Sequence, residues 1–475
     1  MILREAFDYE FSRLDPTGPH IDPCHLAIYE LLAMKGADWA PHPRLAESWD
    51  VSDDGLEWRL RLQPGARFHS GAPCDAQAVV APLEHLRFEF PSGQLWYWDP
   101  VDTIEVDDER TIVFRLRFPY SRLPSLLWGT HTTVYNEALR EAEPDRFGFE
   151  VADGTGPFRL VSWSPERVVA ERFDGYHGRA PKLDGIEWHA ILEPAERLEA
   201  LERGEVDLLH GPPMEAIQRL REDPRFVVVE HPQPSSIYLG LDRHRSDLSF
   251  DDLRVRQAIS LAVDREAIVR EVYHGHASPT WGPVPPGDEF YDPAVDRGRS
   301  RDLGKAVELL REVRGGEPIR CECVVQDDSF IGPLGRLVAE QLAEIGVELE
   351  LRFVKPFAPF YEACAAGVPA FVNKWLWQDA LDAVIGFASS RCDGFPNWQH
   401  ASIPELDEAF ESWLRAGPPD ELRTAASDAQ RIAADTLPYV PLVTPSDVWA
   451  HTTRLQGFEP HAADLYPLYD RAYLT

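Results

Sequence analysis

Phe371-Val372-Asn373-Lys374-Trp375-Leu376-Trp377-Gln378-Asp379-Ala380-Leu381-Asp382 is an apolar, strand-like run that opens onto two indoles and two carboxylates. In an extended chain alternate side chains share a face, so Trp375 and Trp377 stand side by side. Asp379 and Asp382 follow where the strand signal stops, ahead of a helical stretch from Ala383 to Phe387. Aromatic walls beside a carboxylate suit a small, partly polar or cationic ligand. The same residues also suit a buried strand whose acids cap the helix behind it. The neighbouring segments have to separate the two readings.

Toward the amino terminus the pattern alternates. Ala306 to Val313 is helical, Ile319 to Val325 a strand, Leu334 to Ile345 helical and Val347 to Val354 a strand. Gly346 stands at the junction as a helix C-terminal cap. On the other side Ile403 to Leu414 and Leu422 to Leu437 carry helical spacing. Alternation of this kind predicts an α/β arrangement, a parallel sheet covered by helices, with the Trp375 run as its next strand.

The first third of the chain reads as β-rich. Ile2 to Tyr9 is strand-like, Leu14-Asp15-Pro16 is a turn, and Leu26, Tyr29, Leu32 and Ala33 predict a helix over Cys24 to Met34. Asp54-Gly55 is a hairpin signal, because glycine accepts the positive φ such a turn needs. Beyond it Trp58, Leu60 and Leu62 alternate with Glu57, Arg59 and Arg61, as in a half-buried strand. Asp75 is placed to cap a helix over Ala76 to Arg87, and Thr111 to Leu116 is a further strand. Gly154-Thr155-Gly156-Pro157-Phe158 is a rigid turn; with no third glycine and no following helix it is not a nucleotide loop. Gly204 to Leu209 turns into a strand, Ile237 to Leu241 is a strand, and Leu253 to Ala262 is an amphipathic helix.

Composition narrows the function. At 475 residues the chain calls for two or three domains. A charge of 47 − 80 = −33 argues against a nucleic-acid partner and against adsorption to anionic lipid. No apolar run approaches the ~18 residues of a membrane helix, so direct membrane insertion is not expected. The six cysteines have neither disulfide-framework nor zinc spacing, and Cys321 and Cys323 read as small core residues on one strand face. His274-x-His276 reads as a solvated loop, and neither a metal nor a cofactor is expected. There is no nucleophile elbow, zinc-helix pair or P-loop, so catalysis is not expected either. Met1 to Phe7 runs straight into a strand without the features of a secretory leader. The expected location is therefore cytoplasmic as written, or extracytoplasmic if a leader has been removed.

Several blocks together resemble the family-5 (peptide/nickel type) solute-binding proteins of ABC importers. They are Leu45-Ala46-Glu47-Ser48-Trp49 with Val51 to Leu56, Phe68-His69-Ser70-Gly71, Gly154 to Phe158, Gly204 to Asp207, Asp252 to Ala258, and Ile345-Gly346-Val347. Trp377-x-Asp379-x-x-Asp382, Asn397 with Pro404-Glu405-Leu406-Asp407, and Leu437 to Leu442 continue the series in order. The resemblance implies a type II periplasmic-binding-protein fold, two lobes with a hinge plus an additional β-rich subdomain. Lobe one would comprise residues 1–44, 155–240 and 440–475, the subdomain 45–154 and lobe two 241–439, with hinge strands near Leu239 and Leu442. It further implies a monomer that closes on a small ligand between its lobes and hands it to an ABC permease.

For ligand binding the resemblance implies Asp379, at the position that pairs with a peptide's α-ammonium, with Trp377, Trp375, Asp382, Phe7, Trp128, Asn397 and Trp398 around it. Ala380 and Ala383 depart from the family's usual aromatic and proline, which reshapes the pocket edge. The expected ligand is an oligopeptide or amine-bearing metabolite. A metal or metal-chelate ligand is the second binding option, and an intracellular biosynthetic enzyme or sensor on the same scaffold is the alternative function.

Overall fold

In the computed structural model, residues 1–18, 22–36, 40–89, 98–233, 235–328, 330–355, 358–376, 380, 397–460 and 469–475 are described. Trp377, Asp379, Asp382 and the stretch from Ala383 to Phe387 lie outside the described residues. The chain divides into two units, Met1–His231 with Asp447–Thr475, and Pro232–Ser446.

Unit one opens with β1 (Ile2–Phe7) and then builds a separate antiparallel sheet from β2 (Ala46–Val51), β3 (Glu57–Leu62), β4 (Val101–Asp108) and β5 (Thr111–Leu116), in the order β2-β3-β5-β4. The β2–β3 hairpin turns at Gly55, whose φ of 71° is the conformation the Asp54-Gly55 signal predicts. Trp58, Leu60 and Leu62 point into the core while Arg61 is exposed. Helix α1 (Ala76–Glu89) follows, with the Asp75 carboxylate accepting from the Ala78 amide at 2.9 Å.

The main sheet of unit one adds β6 (Phe158–Ser164), β7 (Arg167–Arg172), β8 (Gly185–Ala190) and β9 (Leu208–His210). Strand β1 runs parallel to β8 on one side and to β9 on the other, and Trp449 to His451 closes against β9 in the antiparallel sense. Period-two alternation sorts the side chains between two cores. Leu3, Phe7, Leu208 and Trp449 join one cluster; Ala6, Leu209 and Ala450 join the other, with Leu201 of helix α2 (Pro194–Glu202). Both faces of the sheet are therefore covered, as parallel strands require.

The helix expected over Cys24 to Met34 is a single turn, His25–Ile28, followed by a short strand at Ala33–Lys35. Tyr29 is already extended (φ −104°, ψ 167°), and the Tyr29 hydroxyl donates to the Leu14 carbonyl at 2.8 Å. The carbonyls of Leu31 and Leu32 accept from the amides of Leu45 and Ala46 instead of from their own chain. Every residue from Cys24 to Ala33 is buried, so the helical spacing reflected uniform burial and not an amphipathic face.

Unit two holds β10 (Ser235–Leu241), helix α3 (Leu253–Ala262), helix α4 (Leu303–Arg314), β11 (Ile319–Gln326), helix α5 (Ile331–Ala343), β12 (Val347–Val354), β13 (Ala370–Leu376), and helices α6 (Pro404–Arg415) and α7 (Pro419–Thr436). Strands β12, β11 and β13 are parallel, and β10 lies antiparallel beside β13. Helix α5 lies against this sheet through Leu334, Val338 and Leu342, and Gly335 allows the close approach: a Cβ there would stand 2.9 Å from Val325. Cys321 and Cys323 are buried on one face of β11, as small core residues. The Asp252 and Asp302 carboxylates cap α3 and α4.

Two arginines are sealed inside unit two. The Arg265 guanidinium donates to the carbonyls of Thr280 (2.8 Å), Pro441 and Ser260, and lies 3.6 Å from the Trp281 ring. Arg256 donates to the carbonyls of Leu437, Phe250, Asp251 and Thr436, each at 2.9 Å. The chain passes between the units at His231/Pro232, and again inside the long strand β14 (Val440–Thr452) between Ser446 and Asp447.

Candidate functional site

Open sheets with parallel strands bind ligands beyond the carboxyl ends of those strands, where the connecting loops leave room. In unit one these ends are Phe7 of β1, Ala190 of β8 and His210 of β9. An aromatic and ionic cluster collects there. The His210 Nε2 lies 2.7 Å from Asp447 Oδ1, and the Trp449 indole donates to Asp447 Oδ2 at 2.6 Å. The imidazole lies 4.2 Å from the Trp449 ring at an interplanar angle of 34°, and 5.6 Å from the Phe7 ring.

A carboxylate only accepts, so its contact with Nε2 places a hydrogen there and fixes the orientation of a ring that is 22% exposed. The cluster therefore offers a fixed, oriented imidazole on an aromatic floor. The sequence carried no local signal for it: His210 and Asp447 are far apart in the chain and meet only because β14 returns beside β9.

Behind this edge sits Glu5, fully buried on β1. Its carboxyl is hydrogen-bonded to the Tyr469 hydroxyl at 2.5 Å, and the Trp188 indole donates to that same hydroxyl at 3.0 Å. Desolvation pushes the Glu5 carboxyl up to about 8, against the opposing pull of the Tyr469 contact.

The expected site residues fall in different places. In unit one, Phe7 belongs to the His210 cluster and is fully buried. Trp128 lines another recess, with the Lys35 ammonium 5.0 Å from its ring centre. Arg44, which also lines that recess, pairs with Glu30 at 3.0 Å and with Asp470.

In unit two, Trp375 is buried near the carboxyl end of β13, the strand end that leads toward Trp377 and Asp379. Next to it Gln326, Asn373 and Tyr238 form a buried relay, with the Gln326 amide donating to Asn373 (3.0 Å) and the Asn373 amide to Tyr238 (3.1 Å). The Asn397 side chain exchanges hydrogen bonds with the amide and carbonyl of Ala401, at 2.9 and 2.8 Å, and so shapes the loop before α6. Trp398 packs its ring against Phe360, Tyr361 and Phe371. His274 is exposed in a loop, as its sequence context implies.

The chain matches known proteins along its length. Residues 40–394 match the model of the bacterial extracellular solute-binding proteins, family 5. The glutathione-binding protein GsiB of Pectobacterium atrosepticum is 28% identical over 443 residues, covering 87% of this chain and 82% of that protein. Among solved structures, the periplasmic binding protein DppA from Helicobacter pylori in complex with peptide STSA superposes with a TM-score of 0.89 at 22% identity, covering 100% of this chain and 98% of that one. AgaA in complex with agropinic acid, from A. tumefacien R10, has the same TM-score and identity and covers 100% of this chain and 99% of that one. The fold is the type II periplasmic-binding-protein fold, and the chain belongs to the bacterial extracellular solute-binding proteins, family 5.

Proposed function

We propose that the solute is a small peptide or another amine-bearing molecule, taken up for ABC-type import. The single observation that carries this reading is the family match over residues 40–394. Family-5 proteins bind small peptides or related ligands and work with ABC permeases. A relative named for glutathione binding and a structural neighbour holding a peptide both support a ligand of peptide size. Asp379 is assigned to the ligand's ammonium, with Trp375 and Trp377 as the aromatic wall and Asp382, Asn397 and Trp398 as supporting residues. Phe7, beside the oriented imidazole of His210, and Trp128, in its own recess, serve from the amino-terminal unit. The protein acts as a monomer, with 45–154 as a β-rich subdomain of lobe one.

Calorimetric titration with glutathione and with short peptides tests the reading. A charge-assisted bond to a sealed ammonium contributes on the order of 1.5–3 kcal/mol. Asp379→Asn keeps the shape and removes the charge, so affinity for an amine-bearing ligand should drop about ten- to a hundredfold. The melting temperature without ligand should stay put. Undiminished affinity in Asp379→Asn, or a lowered melting temperature with affinity intact, makes Asp379 a structural cap instead.

A further inference from the structure

The opposite end of the unit-two sheet carries a second constellation of donor side chains. Asp242 follows β10 directly, and β10 runs antiparallel to β13 with Leu241 opposite Ala370 and Ser235 opposite Leu376. Asp242 therefore lies at the amino end of β13, about 20 Å of strand away from Trp375 and the segment that leads to Asp379. Two loops meet there: the Asp242 amide donates to Pro369 (2.9 Å) and the Arg243 amide to Gln399 (3.0 Å). Their side chains converge. Asp242 Oδ1 accepts from the His244 amide at 2.9 Å and lies 2.9 Å from His400 Nδ1. The His244 and His400 rings stack at 4.1 Å, tilted by only 20°.

We propose that Asp242, His244 and His400 form a binding site for a zinc-class divalent cation, separate from the solute site. Two imidazoles and one carboxylate are the donor set such an ion takes, with a fourth position left for water. One ligand atom from each residue lies within 4.8 Å of the others. Ligands bound at about 2.0–2.1 Å in a tetrahedral shell sit roughly 3.3 Å apart, so the 2.9 Å spacing of Oδ1 and Nδ1 needs only a small expansion, while the exposed His244 ring turns out of its stack on His400 to aim an in-plane lone pair at the ion. The cation takes the place of the hydrogen those two atoms share, with the His400 hydrogen on Nε2.

The supports are already rigid. The Asn397 side chain braces the loop through Ala401, and His400 is held at a φ of 51°, a left-handed backbone that a freely moving loop seldom adopts. Asp242 is 8% exposed while His244 stands at the surface, so the carboxylate is screened but the ion can enter. A hard cation such as Mg²⁺ finds too few oxygens here.

The test is Zn²⁺ titration of the full chain after chelator treatment, read by calorimetry and by the melting temperature. Wild type should bind one Zn²⁺ at its tightest site and melt higher with it, because an ion that binds only the folded state stabilises that state. His244→Ala and His400→Asn should each weaken that site at least tenfold and abolish the thermal shift. Asparagine is chosen at 400 because it tolerates the left-handed backbone. Mg²⁺ should not compete. Asp379→Asn should leave Zn²⁺ binding unchanged, which separates this site from the solute site. If wild type binds no Zn²⁺, or both histidine variants bind it as wild type does, the proposal fails. Should His400→Asn not fold, the surface variant His244→Ala decides alone.

Discussion

Glu5 in unit one and Arg265 in unit two are both sealed from solvent, 0% and 2% exposed, yet the two buried groups are accommodated in opposite ways. Around Arg265, carbonyl oxygens from Thr280, Pro441 and Ser260 converge on the guanidinium, so a permanent charge is met by fixed dipoles. Burial still pulls its pKa down, with Asp296 opposing. Around Glu5 the Tyr469 hydroxyl donates to one oxygen, and Oε1 has no hydrogen-bond partner among the described residues. A carboxylate so poorly solvated stays protonated, which is why its pKa rises to about 8. Arg265 keeps its charge by having it saturated; Glu5 is accommodated by being kept neutral.

The largest test of that contrast is the pH dependence of Glu5. Its folded pKa lies above the 4.5 of an unperturbed glutamate, so between the two the folded state holds a proton that the unfolded state has lost. The Glu5 contribution to stability is greatest below pH 4.5, falls as pH rises toward about 8, and then levels off. At 1.36 kcal/mol per pH unit the full loss is roughly 4–5 kcal/mol. Urea unfolding of wild type and Glu5→Gln at pH 5 and pH 8 measures it: the gap between the proteins should widen with pH in favour of the variant. A gap that does not change with pH means Glu5 is ionised in the fold.

Arg265→Met is the counterpart in unit two. It removes the donor and leaves several buried carbonyls unpaired, at a cost of about 3 kcal/mol that should not vary between pH 5 and pH 8. A neutral outcome would mean that the carbonyl shell rearranges, and the saturation argument would fail. The smallest effect belongs to the helix caps that unit two uses repeatedly. Asp302 accepts from the Lys305 amide at 2.9 Å, and Asp302→Ala should cost about 1 kcal/mol, seen as a small drop in the urea midpoint of unit two.

Much of unit two was legible in the sequence. The Val347 to Val354 strand and the Leu253 to Ala262 helix match the structure end for end, because each carries one clean period and a turn or capping signal at its boundary. The Gly55 hairpin and the Asp75 cap were legible for the same reason. The Cys24 to Met34 stretch was not, since burial on every side imitates helical spacing when the backbone bonds go to distant segments. The site was only partly legible. Phe7 was named only through the family resemblance. His210, Asp447 and Trp449 were not, because a cluster assembled by strand return leaves no spacing to read. The Asp242 and His400 pairing is hidden in the same way, across two loops joined only by tertiary backbone bonds.

The passage of β14 from one unit to the other has a consequence for how the protein is made. Unit two is contiguous from Pro232 to Ser446, whereas unit one needs both ends of the chain. Trp449, Phe458 and Tyr469 fill the same core as Leu3, Phe7 and Trp188, and Tyr469 supplies the hydroxyl that Glu5 depends on. A ribosome delivers those residues after the whole of unit two. The amino-terminal segment, although synthesised first, waits with an open apolar face until the final strand arrives, while the middle of the chain can already have closed its own core. The contiguous unit can thus fold before the unit that begins earlier in the chain.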